Sequence, residues 1–164
     1  MFRSQPACVG QMKTKLPNVT AVAIDGRGLL IAGEPGAGKS SLALALIDRG
    51  ATLIGDDGLI IDDEQGFPLA CPPKTTRGLL EVRNVGLIEF DPCDAPVSLV
   101  LQLTTLAPRY PMELATTTLG GAPIPVLLFR PGDATQALRA EFALVKHGLP
   151  LPKAAKAVAA VEQQ

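Results

Sequence analysis

Apolar residues along this chain fall in short runs divided by glycine, proline and aspartate. Val19 to Ile24 (VTAVAI) and Leu29 to Ala32 (LLIA) flank Asp25-Gly26-Arg27-Gly28. Two β-prone runs around turn formers predict an antiparallel hairpin. Leu42 to Ile47 (LALALI) is built of helix formers and is followed by Gly50, which predicts a helix with glycine just past its end. Ala51 to Ile54 and Leu59 to Ile61 read as buried strands, the second closed by a turn over Asp62 to Gly66. Val85 to Phe90, Val97 to Leu106 and Ile124 to Phe129 read as further strands. A helix is expected after Pro131-Gly132, with Asp133 or Thr135 near its cap and Ala137 to Lys146 in its body. The fold class is therefore α/β with a mixed sheet and few helices. Strands do not alternate regularly with helices, which argues against a full doubly wound fold. Residues 1–17 carry no pattern and read as a lead-in, 18–148 as the domain proper, and the alanine-rich 149–164 as a helix-prone tail.

Composition narrows the classes. A chain of 164 residues makes one domain with a real core, and 47% hydrophobic against 19% charged residues excludes a disordered chain. Fifteen basic and sixteen acidic residues give a net charge of -1, with five Phe, one Tyr and no Trp. No basic footprint or stacking platform for nucleic acid results. Cys8, Cys71 and Cys93 are odd in number and lack C-x-x-C spacing, so small buried thiols in a reducing compartment are expected rather than a disulfide or zinc framework. With no apolar run of a signal peptide or of a membrane span, the expected location is cytoplasmic, without membrane contact.

Gly33-Glu34-Pro35-Gly36-Ala37-Gly38-Lys39-Ser40 matches the G-x-x-x-x-G-K-[ST] phosphate loop (Walker A) in full, with Ser41 following. The glycines let consecutive backbone N–H groups turn inward around an anion, and the following helix adds the positive end of its dipole. Lys39 would reach the outer phosphates, and the Ser40 hydroxyl would ligand Mg2+. An apolar run before the loop and helix formers after it supply the required context.

Downstream, Thr52-Leu53-Ile54-Gly55 runs into Asp56-Asp57, the arrangement that sets acids beside a nucleotide-bound metal. Adjacent side chains on an extended segment point to opposite faces, so the two carboxylates should differ in role. One can take a proton from an attacking hydroxyl while the other supports the metal. The same three residues, D-D-G, also suit a solvated turn. Further on comes Arg77-Gly78-Leu79-Leu80-Glu81-Val82-Arg83-Asn84-Val85-Gly86-Leu87-Ile88.

These three segments, in this order and spacing, resemble the catalytic domain of the HPr kinase/phosphorylase family, over about residues 17 to 132. The family pairs a G-x-x-G-x-G-K-S loop with an apolar strand ending in Asp-Asp and an L-L-E-[IV]-R-G-x-G-[IL]-I signature. The resemblance implies a mixed-sheet phosphate-loop domain similar to PEP carboxykinase, in the short single-domain form of some proteobacteria. It implies a hexamer, use of ATP and Mg2+, and phosphorylation of a serine on the sugar-transport phosphocarrier HPr, with the C-terminal helix helping to dock HPr. Carried onto this sequence, Gly33 to Ser41 hold the nucleotide, and Asp56 is the acid that deprotonates the serine, with Asp57 and Lys39 beside it. Glu81 joins Ser40 near the metal, and Arg83 stands near the phosphates.

The chain departs from the family at four places. Asn18 stands where the family has a histidine, Ser41 where an acidic residue follows G-K-S, and Asn84 where the signature has glycine. Asn84 suits that position if its backbone is left-handed. Asp133 replaces the arginine of a P-G-R-N segment, with Arg130 close by to compensate. These departures leave the nucleotide cradle intact and argue against phosphorylase activity. They also keep open a nucleotide-binding regulator of weak catalytic power, and length alone would suit a small-metabolite kinase.

Overall fold

A computed structural model describes residues 13–153. Cys8, most of the lead-in and the tail from residue 154 lie outside them. Eleven strands and two helices are present among these residues. They are β1 (Lys13–Pro17), β2 (Thr20–Ile24), β3 (Arg27–Ala32), α1 (Lys39–Asp48), β4 (Thr52–Gly55), β5 (Gly58–Asp62) and β6 (Leu69–Cys71). There follow β7 (Leu79–Val82), β8 (Gly86–Glu89), β9 (Ala95–Leu103), β10 (Ala115–Leu119), β11 (Ala122–Phe129) and α2 (Gln136–His147).

The expected hairpin is β2–β3, with Ile24 opposite Arg27 and both turn residues, Asp25 and Gly26, at positive φ. Such a turn matches the twist of the strands it joins. Nine strands form one mixed sheet in the order β1-β5-β6-β9-β3-β2-β4, with β11 also on β9 and β10 on β11. The nine-residue β9 is the hinge of this topology. Its start pairs antiparallel with β6, its middle parallel with β3 and its end parallel with β11.

Alternation along the central strands sorts side chains onto two faces. Leu29 and Ile31 of β3 join Leu99 and Leu101 of β9 under both helices, packed against Leu42 and Leu46 of α1 and Ala140 and Leu144 of α2. Leu30 points the other way, to Ile54, Leu59, Ile61 and Ile124. Burial at each fully enclosed Leu or Ile contributes roughly 1.5–3 kcal/mol, which is what holds the loop between β3 and α1 in register. An Arg49–Glu141 ion pair of 2.9 Å ties the end of α1 to α2.

Four elements differ from the sequence expectation. Lys13–Pro17, read as part of the lead-in, is strand β1 paired with β5; its K-T-K pattern is polar because it is an exposed edge. Val85 to Phe90 contributes β8, but not to the main sheet. It pairs with β7 in a separate ribbon that leaves Val85 and Leu87 exposed. Strand β6 has only three residues, too few for a periodic signal. Strand β10 (ATTTL) is largely exposed and polar, joined to β11 through Gly120 and Gly121, both at positive φ. No helix among the described residues is long and apolar enough to cross a membrane.

Candidate active site

β3 delivers the chain to Gly33, and α1 begins at Lys39, with Gly38 at its N-cap in left-handed conformation (φ 104°). Gly36 is also left-handed (φ 81°), a geometry that side-chain-bearing residues adopt only under strain. Gly33, at φ 157°, is in addition tightly surrounded. A Cβ there would meet Leu103 Cβ at 3.1 Å and Ala37 Cβ at 3.3 Å. The Lys39 ammonium folds back over the loop, donating to the carbonyls of Gly33 (2.9 Å) and Glu34 (3.0 Å). Gly33, Glu34 and Ala37 thus form the loop's frame. Pro35, Gly36, Gly38, Lys39, Ser40 and Ser41 line a cleft of about 330 Å³.

The opposite wall comes from the β4–β5 turn. Asp56 and Asp57 follow β4 directly, and Asp57 takes φ 57°, so the turn is tight, and both residues line the same cleft. A Cβ on Gly55 would lie 2.7 Å from the Gly58 carbonyl oxygen, so glycine is what lets this turn close. Asp56 Oδ1 accepts from Ser40 Oγ at 2.7 Å and from Thr20 Oγ1 at 2.9 Å, and its Oδ2 accepts from the Glu81 backbone N–H at 3.1 Å. One carboxylate therefore joins the phosphate loop, the strand β2 and the signature strand β7. Among the described residues no hydrogen bond reaches the Asp57 carboxylate. Its backbone N–H points at Thr20 Oγ1 (3.5 Å), and its carbonyl accepts from Asn18 N–H at 3.3 Å.

Most residues singled out in the sequence converge here. Asp56, Asp57, Glu81 and Arg83 all line the cleft with the loop. Glu81 is fixed to it through its main chain, while its side chain is exposed. Asn84 lines the cleft too, at φ 67°, the left-handed backbone that explains why Asn can replace glycine. Asn18, also left-handed at φ 62°, acts on the site through its backbone. Asp133 is apart, its Oδ1 accepting from Arg139 and Thr135. The Arg139 hydrogen bond, with those from Thr135, holds its carboxyl below the usual range. Thr20 was not singled out. Its signal was a hydroxyl in the otherwise apolar VTAVAI strand, and at 1% exposure such a group requires a partner.

Hydroxyl and carboxylate oxygens in contact at 2.7 Å form an oxygen-only donor set that suits Mg2+ beside phosphate. No group of three or more His, Cys, Asp or Glu side chains converges as a metal-holding cluster among the described residues. Ser40 and Asp56 are the residues here whose side-chain oxygens could hold such an ion.

Residues 13–93 match the family described as HPr Serine kinase C-terminal domain. An HPr kinase/phosphorylase of Clostridium botulinum is 47% identical over 77 residues, covering 47% of this chain and 25% of that protein. The Clostridium tetani enzyme of the same description is 42% identical over 94 residues, covering 57% and 30%. The chain thus spans less than a third of the length of these curated relatives. A solved Hpr(Ser) kinase/phosphatase from Coxiella burnetii superposes with a TM-score of 0.70 at 26% identity, over 81% of this chain and 90% of that one. Matched sequence and matched fold meet on the elements that build the cleft, and through residues 13–93 the chain belongs to the HPr serine kinase C-terminal domain family.

Proposed function

We propose that this protein is a cytoplasmic ATP- and Mg2+-dependent kinase that phosphorylates a serine of the phosphocarrier HPr and so regulates sugar uptake or carbon metabolism. It would act as an oligomer, a hexamer by family resemblance. The observation that carries the reading is the Ser40–Asp56 hydrogen bond of 2.7 Å, which couples the phosphate loop to the acidic strand end. A Mg2+ ion at this site would supply positive charge against the negative charge that develops during transfer. Ser40 and Asp56 would hold it, Lys39 would leave the loop carbonyls for the phosphates, and Arg83 would face them from the ribbon.

The resemblance gives Asp56 the role of base. The hydrogen bonds favour a division in which Asp56, loaded by three donors, serves the metal side, and Asp57, without such partners, accepts the serine proton. A second reading, a nucleotide-responsive regulator of weak catalysis, is favoured by Asn18, which reaches the site only through its backbone. Transfer from γ-labelled ATP to HPr separates these. The kinase reading expects label on serine, lost in Asp56→Ala and in Asp57→Ala, with nucleotide binding weakened only in the former. Lys39-dependent binding without label supports the regulator.

A further inference from the structure

The β7–β8 ribbon carries exposed groups that the chemistry above does not use. Leu80 is fully buried and anchors the ribbon, while every residue of β8 is exposed. Glu81 and Leu87 are register partners, and side chains directly opposite one another share a face of the sheet. Glu81 lines the cleft, so Leu87, 67% exposed, stands on the ribbon face that fronts it. Val85, also 67% exposed, follows Asn84 in the turn between the strands, which its N–H closes on the Val82 carbonyl at 3.0 Å.

Asn84 forms the tip of this ribbon. At φ 67° a glycine would sit without steric cost, yet this chain places a carboxamide there, on the wall of the cleft that also holds Arg83 and Asp57. Among the described residues no hydrogen bond engages that carboxamide. An amide offers a donor and an acceptor side by side and no charge, which complements a peptide group rather than a phosphate. Arg83, next to it, is the group suited to phosphate oxygens. A hydrogen-bonding tip continuous with exposed apolar side chains, at the mouth of a reaction cleft, has the make-up of a protein-docking surface.

We propose that Asn84 and the Leu87 face of the ribbon are the docking wall for the acceptor protein. The Asn84 carboxamide pairs with a main-chain peptide group flanking the acceptor serine, and Val85 and Leu87 cover an apolar side chain beside it. The inference rests on the reading of the cleft as a protein serine kinase site and adds the residues by which that site selects its acceptor.

Steady-state transfer from ATP to HPr by the full chain, with ATP affinity measured separately by calorimetry, tests it. Asn84→Gly keeps the left-handed backbone and removes only the carboxamide, so it should melt within about 3 °C of the wild type. Its KM for HPr should rise about tenfold, the size of two neutral hydrogen bonds, while kcat and ATP affinity stay within about twofold. Leu87→Ser, at an exposed position, should raise the same KM about tenfold through lost apolar burial. An unchanged KM in Asn84→Gly, or a loss of ATP affinity in its place, overturns the docking wall and leaves the kinase reading intact. A Leu87→Ser protein that keeps its KM and changes its oligomeric state in sedimentation gives this face to a second copy of the chain and also overturns it. No label on HPr from the wild type overturns the kinase reading and the docking wall with it.

Discussion

Replacing Thr20 with valine keeps the shape of a fully enclosed side chain and removes one oxygen. That oxygen donates to Asp56 Oδ1 at 2.9 Å and faces the Asp57 N–H at 3.5 Å. A hydrogen bond to a charged acceptor contributes about 1.5–3 kcal/mol, and the new methyl returns at most about 0.8 kcal/mol of burial. Thr20→Val should therefore cost about 1–2 kcal/mol, or roughly 2–8 °C in Tm for a chain of this size. Thr20→Ser, which retains the hydroxyl, should keep nucleotide affinity, while Thr20→Val should weaken it because Asp56 loses one of its three donors. Urea unfolding of the two variants and of Thr20→Val in an Asp56→Ala background gives the coupling directly. The valine cost should largely disappear once Asp56 is gone. A Thr20→Val protein within about 0.3 kcal/mol of wild type, or an equal cost in both backgrounds, would refute it.

Other parts of the molecule give independent tests. Gly78 is left-handed (φ 77°), a Cβ there would collide with the Phe90 carbonyl oxygen, and its own carbonyl accepts from Phe90 N–H at 2.7 Å. Gly78→Ala should destabilise the base of the ribbon by about 1–3 kcal/mol, read as lost amide protection over Leu79–Val82 in hydrogen exchange. Burial first, and then Asp94 and Asp62, push the Cys71 thiol up to about 11. Its thiolate should be scarce at pH 8 and grow tenfold per pH unit until pH 11, so iodoacetamide should label it on the order of 100-fold more slowly than an unperturbed cysteine at pH 8. Labelling at the rate of free cysteine, followed by mass spectrometry, would contradict that burial.

How much of this was legible in the sequence depended on how local the signal is. The phosphate loop, the hairpin around Asp25-Gly26 and the run LALALI carry their instructions within a few residues. Asn84 was legible for the same reason: asparagine tolerates the left-handed backbone found there. Thr20 was not, because its role depends on Asp56, which lies 36 residues away. The ribbon was half legible. Leu80 is fully buried and anchors it, but nothing local to VGLIEF says that β8 leaves the main sheet. Strand β10 was illegible, since threonines on an exposed edge show no apolar alternation. Arg139 lies six residues beyond Asp133, and only the turn into α2 brings their side chains together.

The proposed kinase chemistry requires Ser40 and Asp56 to act as a unit in a Mg2+-nucleotide site. Its most direct test is ATP affinity, with and without Mg2+, of the wild type, Ser40→Ala, Asp56→Ala and the double variant. Each single change should remove the Mg2+-dependent part of binding, and the double variant should lose no more than either. Equal Mg2+ enhancement in all four proteins, or losses that simply add, would contradict it.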